Sequence, residues 1–206
     1  MQRSSISRRV AIAGVFLLPG CSAITRLNAA AEPRDTYDLR PVKLTDTGPT
    51  SRRNLLIADP TAPAALTSDR MLIRSNAQSI AYLPGSRWSD DVPRLFQSLL
   101  VQSLSSTGRI GFVGIPNAGP VPDVVLLTRI DRFDVDVTGP EEFRAVLAYQ
   151  ATLLRDRDQR VIASRTFARD TAIADDRAST VAAAFQSMVD SALSDTAIWT
   201  IRNLSG

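Results

Sequence analysis

The chain has 206 residues, and its 24 lysines and arginines outnumber its 21 aspartates and glutamates, which gives a formal charge of +3. It has no histidine and one cysteine, which excludes histidine-containing metal sites, Ser-His-Asp catalysis, an intramolecular disulfide and multi-thiolate zinc sites. Because 44% of the residues are apolar and 22% are charged, the composition predicts one globular domain with a buried core.

The amino-terminal residues have the pattern of an export signal. Three arginines and no acid precede an uncharged apolar segment, residues 10–20, which is too short to span a membrane. The segment ends in Leu18-Pro19-Gly20-Cys21, which resembles the lipobox of bacterial lipoproteins. We therefore predict a signal peptide over residues 1–20, Sec-type export and acylation of the Cys21 thiol. The alternative for Cys21 is an inert, buried thiol.

Cleavage before Cys21 changes the charge of the chain. Removing the three arginines of residues 1–20 leaves 21 basic residues against 21 acidic ones, so the mature chain is neutral. No basic run exceeds Arg52-Arg53, and a nucleic-acid footprint is therefore not expected. Residues 21–35 are predicted to be the lipidated cysteine and a short tether. Ser22, which directly follows the cysteine, is compatible with sorting of the lipoprotein to the outer membrane.

The first half of the predicted domain, which covers residues 36–206, contains short strands. Residues 37–39 and 54–58 are strand candidates, and residues 70–74 and 79–83 are predicted to form a hairpin.

An amphipathic helix follows the hairpin. One apolar face is formed at helical spacing by Val92, Leu95, Phe96, Leu99, Leu100 and Leu104. Ser89 is the predicted cap, with Asp90 and Asp91 in the first turn, and Gly108 is the predicted stop.

Three long strands and a second helix are predicted for the second half of the chain. The apolar residues of segment 124–137 lie at even positions first and at odd positions later. Because strand side chains alternate between two faces, keeping both groups on the core requires a bulge near Asp131-Arg132. Residues 143–153 and 161–171 complete an antiparallel meander. A helix then begins near Asp175-Asp176 and continues towards Trp199. The predicted fold is α+β, with two amphipathic helices on a largely antiparallel sheet.

Motifs for chemistry are weak throughout the chain. Gly108, Gly111 and Gly114 lack the Gly-Lys-Ser/Thr of a phosphate loop, so a loop turn and no ATP binding are predicted. The acidic pairs 90–91, 141–142 and 175–176 are interpreted as solvated caps. The acidic side chains at positions 131, 134 and 136 do not fit a calcium loop. We predict no catalytic residue, no metal site and no cofactor, hence no enzyme.

Two aromatic residues flank a Pro-Gly break in the loop that precedes the first helix. Tyr82 and Trp88 are candidates for binding a partner protein, because aromatic side chains often anchor interfaces. Core packing of one or both is the alternative.

Several of these features together resemble the ABC-type transport auxiliary lipoproteins, the family that contains paraquat-inducible protein C. The resemblance is carried by Cys21, Tyr37-x-Leu39, the 55–60 strand, residues 70–74 followed by 80–83, Trp88 before the helix that contains Pro93, and the alanine-rich helix over 181–193.

The resemblance implies a periplasm-facing lipoprotein whose partners are an ABC transporter and an MCE-domain protein. Such systems move lipids or other hydrophobic molecules between the inner and outer membranes. The implied role is an accessory, docking subunit that is anchored by its lipid, in the outer membrane. Two alternatives stay open: a carrier domain that binds lipid in its own cavity, and a structural or LptE-like assembly lipoprotein.

Overall fold

The computed structural model describes residues 34–44, 48–140 and 142–205. Nine strands and two α-helices lie in these residues. In chain order they are β1 (Asp35–Tyr37), β2 (Ser51–Ile57), β3 (Leu72–Asn76), β4 (Ser79–Tyr82), β5 (Ser86–Trp88), α1 (Val92–Ser106), β6 (Ile110–Gly114), β7 (Val124–Gly139), β8 (Glu142–Arg155), β9 (Arg160–Ile173) and α2 (Ala178–Leu204).

The main sheet is organised around β7, its longest strand. One edge of β7 pairs antiparallel with β8 along its whole length, and β8 pairs antiparallel with β9, as the meander predicted. The other edge of β7 is shared by β2 and β3, and both are parallel to it. The α+β class is thus confirmed, but the sheet is mixed. Parallel pairing arises because β2 and β3 connect to β7 through long crossovers that include α1.

The bulge predicted in β7 is present. Ile130 pairs with Tyr149 and Arg132 pairs with Ala148, so Asp131 has no partner on β8. This extra residue reverses the alternation of β7, and Ile130 and Phe133 therefore both face the core.

Helix α1 begins two residues later than predicted. Its cap is Asp91, whose carboxylate accepts the backbone N–H of Arg94 at 3.0 Å. Ser89 does not cap, because its hydroxyl donates to Asp38 at 2.6 Å. The helix ends at Ser106, and Gly108 follows with a φ of +61°, a left-handed conformation that suits glycine at the end of a helix.

Two aromatic clusters fill the space between the helices and the sheet. Phe185 of α2 stacks on Phe133 of β7 at 4.3 Å, and Trp88 packs edge-on against both rings. In the second cluster, Tyr149 of β8 contacts a phenylalanine of α1 and one of β9. The buried apolar side chains of the described residues lie between Leu39 and Leu204, within the compact unit that Arg34–Gly206 forms.

Tyr149 places a hydroxyl inside this core. Its O–H donates to the carbonyl oxygen of Ala192 at 3.2 Å and lies 2.6 Å from Thr196 Oγ1. Burial raises the pKa of this phenol well above its ordinary value of about 10, although the hydrogen bond with Thr196 acts in the opposite direction.

The buried phenol predicts a loss of stability in alkali. Above pH 10 the unfolded chain releases the Tyr149 proton while the folded chain keeps it, so the stability that is present below pH 10 falls by about 1.4 kcal/mol per pH unit. Tyr149→Phe should remove this slope and cost about 1 kcal/mol at neutral pH. Urea unfolding at pH about 8 and about 11 measures both effects. Tyr82→Phe is the control and should keep the slope. An equal alkaline loss in wild type and Tyr149→Phe would contradict the assignment.

Neither α1 nor α2 has the combination of length and apolarity that a membrane-spanning helix needs, and the same holds for every helix in the described part of the chain.

Candidate functional site

The predicted lipidation site, Cys21, lies outside the described residues, and so do the predicted signal peptide and residues 22–33 of the predicted tether. The first described strand, β1, begins at Asp35.

Trp88 is a core residue, which corrects its assignment as a surface anchor for a partner. Strand β5 pairs in parallel with β1, and its alternation turns Ser86 and Trp88 inward and Arg87 outward. The Trp88 side chain is 1% exposed, and its backbone N–H donates to the carbonyl oxygen of Asp69 at 2.6 Å. Of the two interpretations of Trp88, core packing is therefore the one that agrees with the structure.

Tyr82 lies at the end of β4 and is half-buried. Its hydroxyl donates to the carbonyl oxygen of Ala65 at 3.3 Å, and the guanidinium of Arg70 stacks 4.3 Å from the centre of its ring. Ile80, two residues earlier on the same face of β4, is 45% exposed. The two aromatic candidates thus differ in burial, and of the two only Tyr82 stays a candidate contact for a partner protein.

Four charged residues meet on the outer face of β3 and β7. Asp134 is 1% exposed, and it accepts hydrogen bonds from Arg132 at 2.7 and 2.9 Å and from Arg74 at 3.2 Å. Arg132 also donates to Asp136 at 2.6 Å. These hydrogen bonds, above all those with Asp134, raise the pKa of the Arg132 guanidinium. Two guanidinium groups balance two carboxylates, so the cluster joins β3 to β7 and offers no net negative charge to a cation.

Two other acidic candidates, Asp131 and Asp175, also have structural partners. Asp131 binds Arg129 at 2.8 Å. Asp175 accepts the backbone N–H and the Nε–H of Arg177 just before α2, and its hydrogen bonds, that with the Arg177 side chain first, lower its pKa to about 2. Within the described residues, no three acidic, cysteine or histidine side chains lie close enough to hold a metal ion.

The glycine-rich segment is a strand, which corrects the prediction of a loop turn. Residues 110–114 form β6 and pair in parallel with β2. A Cβ atom at Gly111 would lie 2.6 Å from the carbonyl oxygen of Arg52, so glycine permits the close approach of the two strands. Sequence spacing alone does not distinguish this use of glycine from a turn.

A shallow groove of about 410 Å³ lies between α1 and β6. Its apolar floor is formed mainly by Val101, Phe112, Val113 and Ile115, and its rim includes Arg94. The groove has room for an apolar side chain, but its lining residues include no nucleophile–base pair and no pair of carboxylates. Sequence reasoning missed it because β6 was not recognised as a strand.

The chain matches the model of a known protein family. The model of the family described as ABC-type transport auxiliary lipoprotein component matches residues 37–197, which is nearly all of the described domain.

Individual relatives agree with this match. The chain is 30% identical over 151 residues to the uncharacterized protein bll6063 of Bradyrhizobium diazoefficiens; the match covers 72% of this chain and 40% of that protein, so the chain spans about two fifths of the relative's length. The crystal structure of protein XCC0632 from Xanthomonas campestris superposes with a TM-score of 0.73 at 25% identity, covering 82% of this chain and 94% of that one. A second solved structure, of an uncharacterized protein, shares the fold with a TM-score of 0.61 at 14% identity, over 84% and 99% of the two chains.

Proposed function

Because the chain belongs to the ABC-type transport auxiliary lipoprotein component family, we propose that it is a periplasm-facing accessory subunit of an ABC transporter. In this proposal it docks an MCE-domain protein of the transport system at the outer membrane, and the system moves lipids or other hydrophobic molecules between the two membranes. The family match over residues 37–197 is the observation that carries the proposal.

The filled interior of the domain supports a docking role over the carrier alternative. The space where helices over a sheet could enclose a lipid is occupied by the two aromatic clusters around Phe133 and Tyr149. Since side chains close-pack this layer, a lipid could enter only by displacing them. The domain is therefore proposed to act through its surface.

ATP hydrolysis is proposed to belong to a different subunit. The single lysine, Lys43, follows Val42, and no Gly-Lys-Ser/Thr occurs in the chain.

The contribution of this chain to the transport system is proposed to be attachment to the membrane. Acyl groups on Cys21 would hold it in the membrane at about 0.8 kcal/mol per buried CH₂, and the residues that follow Cys21 are proposed to tether the domain to the membrane.

Affinity purification tests the docking role. The full chain with a carboxyl-terminal tag is expressed in its own host, membranes are solubilised in mild detergent, and co-purified proteins are identified by mass spectrometry. An MCE-domain protein and its ABC transporter should be enriched at least about tenfold over an untagged strain. Recovery of the intact lipoprotein without an MCE protein would overturn the docking role.

A Cys21→Ser variant tests the anchor separately. It should lose the acyl mass and leave the outer-membrane fraction, whereas the wild type should stay there. Acylated wild type found in the inner-membrane fraction would refute the proposed location, and unacylated wild type would refute the anchor.

Native mass spectrometry of the chain without its acyl groups tests the carrier alternative, because a carrier should retain phospholipid.

A further inference from the structure

Five strand termini meet at one end of the main sheet. Strands β6, β2 and β7 begin there, β8 ends there and β9 begins there. The backbone N–H of Ser51 donates to the carbonyl oxygen of Arg109, Val124 lies opposite Arg155, and Arg155 lies opposite Arg160. With about 4.8 Å between neighbouring strands, the five termini span about 19 Å across the sheet, and β2 extends four residues beyond the start of β7. We call this row, with the loops that join it, the basic end.

The basic end has an excess of positive charge. Its basic residues are Arg52, Arg53, Arg109, Arg155, Arg157 and Arg160, and its acidic residues are Asp123, Asp156 and Asp158. Six arginines against three aspartates leave three positive charges. The other described residues include 14 basic and 15 acidic side chains, so the positive charge of the described domain is concentrated at the basic end.

Much of this positive charge is not neutralised by neighbouring acids. Asp158 binds Arg155 at 3.3 Å, and Asp123 accepts the backbone N–H of Asn54 at 2.7 Å. Within the described residues, no carboxylate lies within 4 Å of the guanidinium groups of Arg52, Arg157 or Arg160, which are all exposed. These three guanidinium groups are available to an external anion.

An apolar tip projects beside the arginines. Val121 is 81% exposed, the largest exposure among the bulky apolar residues of the described chain, and it lies between Pro120 and Pro122. The side chain of Asn54 donates to the carbonyl oxygen of Val121 at 3.2 Å and fixes the loop to β2. Since each proline holds φ near −65°, the loop keeps the tip outward at little entropic cost.

We propose that the basic end binds a membrane surface that contains anionic phospholipids. Guanidinium groups bind phosphate through paired hydrogen bonds, and an apolar tip can insert among headgroups. A projecting tip fits a fluid headgroup layer without a complementary pocket, which an acidic protein partner would need. This inference does not depend on the MCE partnership, so the two proposals can fail independently.

Vesicle co-sedimentation tests the proposal. The chain over residues 22–206, which contains the compact unit Arg34–Gly206 and lacks Cys21, is mixed with phosphatidylcholine vesicles that contain about one quarter phosphatidylglycerol or none. Binding is expected only with phosphatidylglycerol, and it should weaken at least about tenfold when salt rises from about 0.05 M to about 0.5 M.

Substitutions locate the binding surface. Arg52→Ala, Arg157→Ala and Arg160→Ala together should weaken binding about 100-fold, at about fivefold per arginine. The matched control combines Arg94→Ala, Arg144→Ala and Arg177→Ala, which remove the same charge from exposed positions outside the basic end, and it should bind within about threefold of wild type.

A second variant removes the apolar tip. Val121→Ser should weaken binding by a few fold and leave its salt dependence unchanged, because it removes apolar surface that would leave water on insertion but changes no charge. Circular dichroism checks that each variant is folded, and Val121→Ser together with the salt titration still tests the proposal if the arginine variant does not fold.

Three results would overturn the proposal. The first is no binding that depends on phosphatidylglycerol. The second is an equal loss in the two triple variants, which would indicate that only net charge matters. The third is binding to polyglutamate without binding to the anionic vesicles, which would indicate an acidic protein as the partner.

Discussion

Replacing Trp88 with alanine is expected to lower the free energy of unfolding by about 3–5 kcal/mol. The indole packs edge-on against Phe133 and Phe185 at 5.6 and 5.5 Å, and it joins β5 to both the sheet and α2. Alanine would leave a cavity at this junction. Urea unfolding, followed by circular dichroism and by the fluorescence of the remaining Trp199, measures the loss.

Two controls separate packing from other effects of changing this loop. Trp88→Phe keeps an aromatic ring and should recover at least half of the loss. Arg87→Ala changes the neighbouring exposed residue and should cost less than about 1 kcal/mol. A fully stable Trp88→Ala protein that no longer retained its partner would restore the surface role for Trp88.

Replacing both Arg74 and Arg132 with alanine is expected to cost about 3–5 kcal/mol. Both guanidinium groups donate to the buried carboxylate of Asp134, and without them that carboxylate would be buried with no cation beside it. Thermal and urea unfolding measure the effect.

The decisive variant adds Asp134→Leu to this pair of substitutions. Removing the unpaired carboxylate should restore more than half of the lost stability, since the cost of a broken buried ion pair comes from the charge left behind. Arg129→Ala is the control, because its pair with Asp131 is exposed and should contribute less than about 1 kcal/mol. A triple variant less stable than the double one would show that Asp134 acts in another way.

Local patterns were sufficient to predict the helices, the β3–β4 hairpin and the meander. The apolar spacing of α1 reports the buried face of that helix directly, because one turn repeats every 3.6 residues. The phase break in β7 likewise predicted the bulge at Asp131, since a strand cannot otherwise bury both Ile130 and Phe133.

Features that depend on distant residues were not predictable in this way. The parallel pairing of β2 and β3 with β7 is decided by crossovers of more than forty residues. The burial of Trp88 depends on its partners Phe133 and Phe185, which are far away in the chain.

The basic end could not be recognised from sequence for the same reason. Arg52 and Arg160 are more than one hundred residues apart, and only the alignment of strand termini brings them to one surface. In the sequence they appear as a short doublet and as scattered single charges.

The late position of β7 in the chain determines when the sheet can be completed during synthesis. A nascent chain that ends before Val124 contains the β2–β6 and β3–β4 pairs but lacks the strand that joins them. Once β7, β8 and β9 have emerged, their short connections allow rapid local pairing, and the resulting three-stranded template can recruit β2 and β3. The β2–β6 and β3–β4 pairs must therefore wait to join the main sheet until the carboxyl-terminal half has emerged.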